Sequence, residues 1–142
     1  MIDSLIPSKT RIKLLVKFFL NPDVTSYLRG LAEEFGESTN AVRVELNRLC
    51  SAGFLEEVPA EGRKRTYRAC RSHPLFPELH RIVRKVLGID QVVEGIVQRM
   101  GSVRAALITG DYAHGIDSGI IDLILVGTVD RAYLGELVEK VE

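Results

Sequence analysis

Apolar residues recur at helical spacing through the first half of the chain, and each run is bounded by residues that start or stop a helix. Pro7-Ser8 offers a start, Ile12, Leu15, Phe18 and Phe19 mark the inward side, and Asn21-Pro22-Asp23 stops the run after Leu20. Tyr27 to Gly36 predicts a second helix, with Leu28, Leu31, Ala32 and Phe35 as its stripe and a glycine to close it. Glu37-Ser38-Thr39-Asn40 supplies a turn and N-cap, and Ala41 to Ser51 predicts a third helix ended by Ala52-Gly53. In that helix Val42, Leu46 and Leu49 fall at i, i+4 and i+7, so they face inward. Thr39, Asn40, Arg43, Asn47 and Arg48 are left on the outer surface. Two short β-prone runs follow, Phe54–Val58 and Arg65–Cys70, joined by a tip containing Glu61-Gly62-Arg63-Lys64.

Beyond Ser72-His73-Pro74 the pattern changes. Leu75, Leu79, Ile82, Val83 and Val86 predict an amphipathic helix up to Gly88, and a further helix is expected from Asp90 to Met100. Residues 104–109 and 120–127 read as buried strands around a loop, Gly110–Gly119, and Asp130 is placed to cap a last helix from Arg131. The expected class is α+β, an N-terminal helical unit with a hairpin followed by a small α/β unit. The expected division is 1–72, a linker and dimerisation helix at 73–89, and a second unit at 90–142.

Charge sharpens that division. The chain is neutral overall, yet residues 1–72 carry 12 Lys+Arg against 9 Asp+Glu, while residues 73–142 carry 7 against 10. A weakly basic half joined to an acidic half suits a phosphate-binding module attached to something that does not bind DNA. Cys50 and Cys70 lack metal-site spacing and are too few for a disulfide framework, which predicts no metal site and a reducing compartment. The strongest apolar segment, Ile120–Val126, is broken by Asp122 and is too short to span a bilayer. The expectation is a soluble, cytoplasmic protein with no membrane partner.

Reading DNA sequence requires side chains that present fixed donors to base edges, and Arg and Asn do so bidentately to guanine and adenine. Asn40, Arg43 and Asn47 share one helical face, and Thr39 at the helix start suits a phosphate. Arg63, Lys64 and Arg65 on the hairpin suit backbone or minor-groove contact. A helix small enough for the major groove beside a cationic hairpin is the physical outline of a winged-helix reader of double-stranded DNA.

The stretch from Thr25 to Cys70 resembles the winged helix-turn-helix regulators of the arsenical-resistance-repressor and multiple-antibiotic-resistance-repressor type. The resemblance rests on Leu31-Ala32-Glu33, Gly36, Ser38-Thr39-Asn40-Ala41-Val42, Leu46, Leu49, Ala52-Gly53-Phe54-Leu55 and Tyr67. It implies a homodimeric transcription factor with Ala41–Ser51 as recognition helix. Metal sensing is not carried over, because the sensors of that superfamily use clustered Cys and His ligands and here the two cysteines stand alone.

Residues 90–142 resemble a minimal nucleotidyltransferase. The match lies at Gly110, Ala113, Gly115, Asp122 and Leu123, in Thr109-Gly110-Asp111-Tyr112-Ala113-His114-Gly115 and the strand that follows. That family holds Mg²⁺ on a nucleoside triphosphate with two carboxylates at i and i+2 of one strand. Here the first of these positions is Ile120, Asp111 stands where a serine should meet phosphate, and His114 replaces an arginine. Asp117, in the loop, is the further carboxylate that can approach Asp122. The expected function is a DNA-binding transcriptional regulator, not an enzyme, with no cofactor and an unidentified effector. Two alternatives stand beside it: a nucleotidyltransferase carrying a winged-helix targeting module, and a winged-helix protein-interaction module.

Overall fold

The structure is a computed structural model that describes residues 1–141. Its class is α+β, with helices α1 Lys9–Leu20, α2 Leu28–Phe35, α3 Thr39–Ser51, α4 Phe76–Val86, α5 Ile89–Arg99, α6 Gly110–Ala113 and α7 Arg131–Val141. The strands are β1 Ser26–Tyr27, β2 Leu55–Pro59, β3 Arg65–Ala69, β4 Gly101–Thr109 and β5 Asp122–Val129. No helix among the described residues is long and apolar enough to cross a membrane.

Local chemistry sets the helix ends. The Ser8 hydroxyl accepts from the Arg11 N–H at 3.2 Å and starts α1. Gly36, at φ 64°, closes α2. The third helix begins at Thr39 rather than Ala41, because the Ser38 hydroxyl caps it by accepting from the Ala41 N–H at 3.1 Å. Asp130 caps α7, accepting from the N–H groups of Ala132 and Tyr133.

Val42, Leu46 and Leu49 on α3 meet Leu31 and Ala32 on α2 and Leu14, Leu15, Phe18 and Phe19 on α1 in one apolar cluster. An ion pair ties α1 to α3 at the edge of this cluster. Arg11 donates to the Glu45 carboxylate at 2.8 and 3.3 Å, and these bonds hold the Glu45 carboxyl below its ordinary range. The hairpin packs as an antiparallel three-stranded sheet of order β1-β3-β2. Its first strand has only two residues, which pair Ser26 with Tyr67 and Tyr27 with Thr66. No sequence period could announce so short a strand.

The stripe on α4 finds its partner within the chain. Val83 is buried in the same cluster, with Phe76 and Leu79 packed against it. The Phe76 ring stands 5.6 Å from Phe19, and His80 Nδ1 lies 2.5 Å from the Phe19 carbonyl. Leu75 and Ile82 alone of the predicted seam are exposed large apolar side chains. A charge at Val83 would therefore disrupt the core of the chain itself.

The antiparallel pair β4–β5 is in register from Gly101 with Val129 to Thr109 with Asp122, with an irregularity between Val103 and Ala105. Between these strands the loop folds back onto α1. The Lys17 ammonium, 6% exposed, donates to the Glu34 carboxylate and to the His114 carbonyl, both at 2.9 Å. The Asn21 side-chain amide donates to the Ala113 carbonyl. Gly115, at φ 73°, lies so close to α1 that a Cβ there would stand 2.1 Å from the Lys17 carbonyl oxygen. Only glycine supplies both that backbone conformation and that approach.

Candidate nucleic-acid interface

The inward stripe of α3 leaves its other side to solvent, and Thr39, Asn40, Arg43, Asn47 and Arg48 are all exposed. Arg43 and Asn47 open onto a groove of about 600 Å³ between the helices and the hairpin. The far wall carries Lys64, Arg65 and Tyr67 of the hairpin, and Tyr27, Leu28, Arg29 and Glu33 line the rest. Helix and hairpin thus present their polar side chains to one shared cleft. Arg63 is exposed at the hairpin tip, outside that lining.

Most cations of this half are paired. Arg11, Lys13, Lys17, Arg48, Arg65, Arg68 and Arg71 each lie within 4.0 Å of a carboxylate. Among the described residues Lys9, Arg29, Arg43, Arg63 and Lys64 form no such pair, and of these Arg29, Arg43 and Lys64 line the cleft, with Glu33 as its one carboxylate. Arg65 pairs with Glu57 at 3.8 Å, both side chains well exposed, a contact too solvated to hold the guanidinium strongly. Arg48 leans toward Glu45 at 3.5 Å.

Two residues of the cleft carry no signal in the pattern of the chain. Arg29 sits in the first turn of α2, where it reads as an ordinary solvated position. Tyr27 reads as the start of that helix but belongs to β1, and its ring lies beneath the Lys64 ammonium at 4.7 Å from the centroid. This cation–π contact holds the hairpin lysine toward the helices.

The cysteines stand apart. Burial, and then the nearby Glu57, pushes the Cys50 thiol above its ordinary pKa. Cys70 lies 3.2 Å from the Ser72 hydroxyl, and no cluster of three or more metal-ligating side chains occurs among the described residues.

The glycine loop brings Gly110 and Asp122 together, while Asp117 and His114 are held by local partners. A Cβ on Gly110 would meet the Asp122 carboxylate at 2.1 Å, so that carboxylate lies directly over the glycine. Asp117 is engaged elsewhere, its Oδ1 accepting the Tyr112 hydroxyl at 2.5 Å. Burial first, then this bond, raises the Tyr112 pKa to about 12. Ile120 is 66% exposed and turns into an apolar groove. The N–H groups of His114 and Ile116 donate to the Asp111 carbonyl and that of Gly115 to Tyr112, so none is free to hold a phosphate. The His114 ring is engaged with the Gly110 carbonyl at 2.7 Å. These residues do not fit a two-carboxylate Mg²⁺–triphosphate site.

Compared with protein-family models, curated proteins and solved structures, the chain has no match.

Proposed function

We infer that the protein is a sequence-specific transcriptional regulator that binds double-stranded DNA through a winged helix-turn-helix. In this reading α3 is the recognition helix and the hairpin β2–β3 is the wing. One observation carries it: the exposed Asn40, Arg43 and Asn47 face stands beside a cleft whose unpaired cations come from helix and hairpin alike. Asn40, Arg43 and Asn47 read base edges in the major groove, while Thr39, Arg63, Lys64 and Arg65 hold phosphates. Arg29 joins the phosphate set, and Arg48 serves at its margin.

The regulator acts as a homodimer, since two linked readers match two half-sites. The exposed Leu75 and Ile82 of α4 support a contact between copies on that side. Selection from a random pool of duplex DNA tests the reading directly. An enriched inverted repeat with half-sites about one helical turn apart is the expected result. Failure to retain any duplex in low salt would favour a protein-interaction module instead.

Arg43→Ala is expected to weaken operator binding by roughly 1–3 kcal/mol and to relax preference at one base position. Competition binding against operators changed at single positions measures both effects. Equal weakening on every sequence would make Arg43 a phosphate contact.

The second unit is a non-catalytic relative of the nucleotidyltransferases in this reading, its loop serving as a scaffold on α1. Calorimetric titration with Mg²⁺-ATP is expected to give no heat of tight binding. A dissociation constant in the low micromolar range would support the nucleotidyltransferase alternative.

A further inference from the structure

The face of β5 that carries Leu123 and Leu125 is walled by α5 through Val92 and Ile96 and by α7 through Leu134 and Val138. The helices meet at Gly95, where a Cβ would stand 3.2 Å from the Tyr133 hydroxyl and 3.3 Å from Leu137 Cδ1. Between these walls runs a groove of about 850 Å³ with an almost wholly aliphatic lining. Small organic ligands occupy sites of roughly 300–1,000 Å³ with that character. The groove opens to solvent at Ile120 and Val138.

One charged side chain, Arg131, lies among the described lining residues, and no carboxylate accompanies it. Arg131 forms no ion pair among the described residues. The neighbouring Asp130 carboxylate is turned to the α7 backbone, where it accepts from Ala132 and Tyr133. A single uncompensated guanidinium at an apolar cleft selects a ligand with an apolar body and one anionic end. Covering by a second copy, groove on groove, would instead remove two guanidinium groups from water with no carboxylate in either lining to meet them.

We propose that this groove is a binding site for a small amphipathic carboxylate, an aliphatic or aryl acid whose body lies on Leu123 and Leu125 and whose carboxylate pairs with Arg131. The site is separate from the DNA-reading cleft and does not depend on it. It uses the side chain at position 120 as apolar wall, where the nucleotidyltransferase pattern would place a metal ligand.

Two fluorescent probes of nearly the same shape test the charge requirement. 1-Anilinonaphthalene-8-sulfonate is an apolar anion, and N-phenyl-1-naphthylamine is the same body without the sulfonate. The full chain is expected to bind one molecule of the anionic probe saturably, and decanoate is expected to displace it far better than decanol. Arg131→Gln should weaken the anionic probe by about tenfold or more while leaving the neutral probe within about twofold. Ile120→Glu, at a well-exposed position that tolerates charge without unfolding, should weaken the anionic probe more than the neutral one. Equal affinity for both probes in the native chain, or equal losses of both in Arg131→Gln, would overturn the proposal. So would the absence of saturable binding, or a dimer in sedimentation that excludes the probe and is abolished by Ile120→Glu.

Discussion

Gly115→Ala is expected to lower the melting temperature more than any other single methyl addition at a glycine of the 110–119 loop. Two costs add at this position. A left-handed backbone costs a residue with a Cβ about 1–2 kcal/mol. The new methyl would also stand 2.1 Å from the Lys17 carbonyl, backbone that cannot swing aside, and overpacking of that kind costs about 1–3 kcal/mol. Together they predict about 2–5 kcal/mol, or roughly 5–15 °C for a chain of this size. Gly119→Ala supplies the control. It shares the positive φ, at 77°, but has nothing within 4 Å, so only the backbone cost applies. Thermal unfolding followed by circular dichroism compares the two, and similar losses would show that the loop does not press on α1.

Neutralising Arg29, Arg63 and Lys64 together is expected to have the largest effect on DNA binding. Each phosphate left without its cation should flatten the slope of log affinity against log salt by about 0.9. Three such phosphates amount to about 2.7, or about 10²–10³-fold in affinity at 0.1 M salt, spread over all sequences. Arg65, whose exposed contact with Glu57 is weak, is left in place so that only cations without a carboxylate partner are changed. Titrations across a range of salt concentrations provide the slope, and an unchanged slope would remove Arg29, Arg63 and Lys64 from the interface. Tyr27→Leu should reproduce part of the weakening without altering net charge, since it releases Lys64 from the ring that holds it.

The sequence makes local structure legible and long-range contacts obscure. Ser8, Gly36 and the spacing of Val42, Leu46 and Leu49 each act within a few residues, so their elements can be read from the chain. Cap placement differs at α3 because Ser38 and Asn40 are both good caps, and hydrogen-bond geometry chooses between them. The α4 stripe is equally readable, but periodicity reports that a face is apolar and says nothing of what covers it. Here α1 covers much of it.

Lys17 is the clearest case of obscurity. A lysine on an amphipathic helix reads as solvated, and burying it requires Glu34 and a carbonyl at position 114, far along the chain. In the candidate site, the outward face of α3 and the cationic tip follow from the pattern of the chain. Arg29 and Tyr27 do not, because they join the cleft only through the pairing of β1 with β3.

The buried lysine also bears on how far the N-terminal unit is portable. A fragment ending at residue 72 would retain every side chain that lines the cleft between α3 and the hairpin. It would nevertheless strip Phe76 from Phe19, His80 from the Phe19 carbonyl, and the His114 carbonyl from the Lys17 ammonium. The ammonium would keep Glu34 but lose part of its cover, and the apolar side of α1 would open to water. The N-terminal unit is thus not a cassette to be cut at the hairpin and spliced onto another protein. A transplantable version must carry α4 and the loop through Gly115, or receive a polar resurfacing of α1 where they now rest.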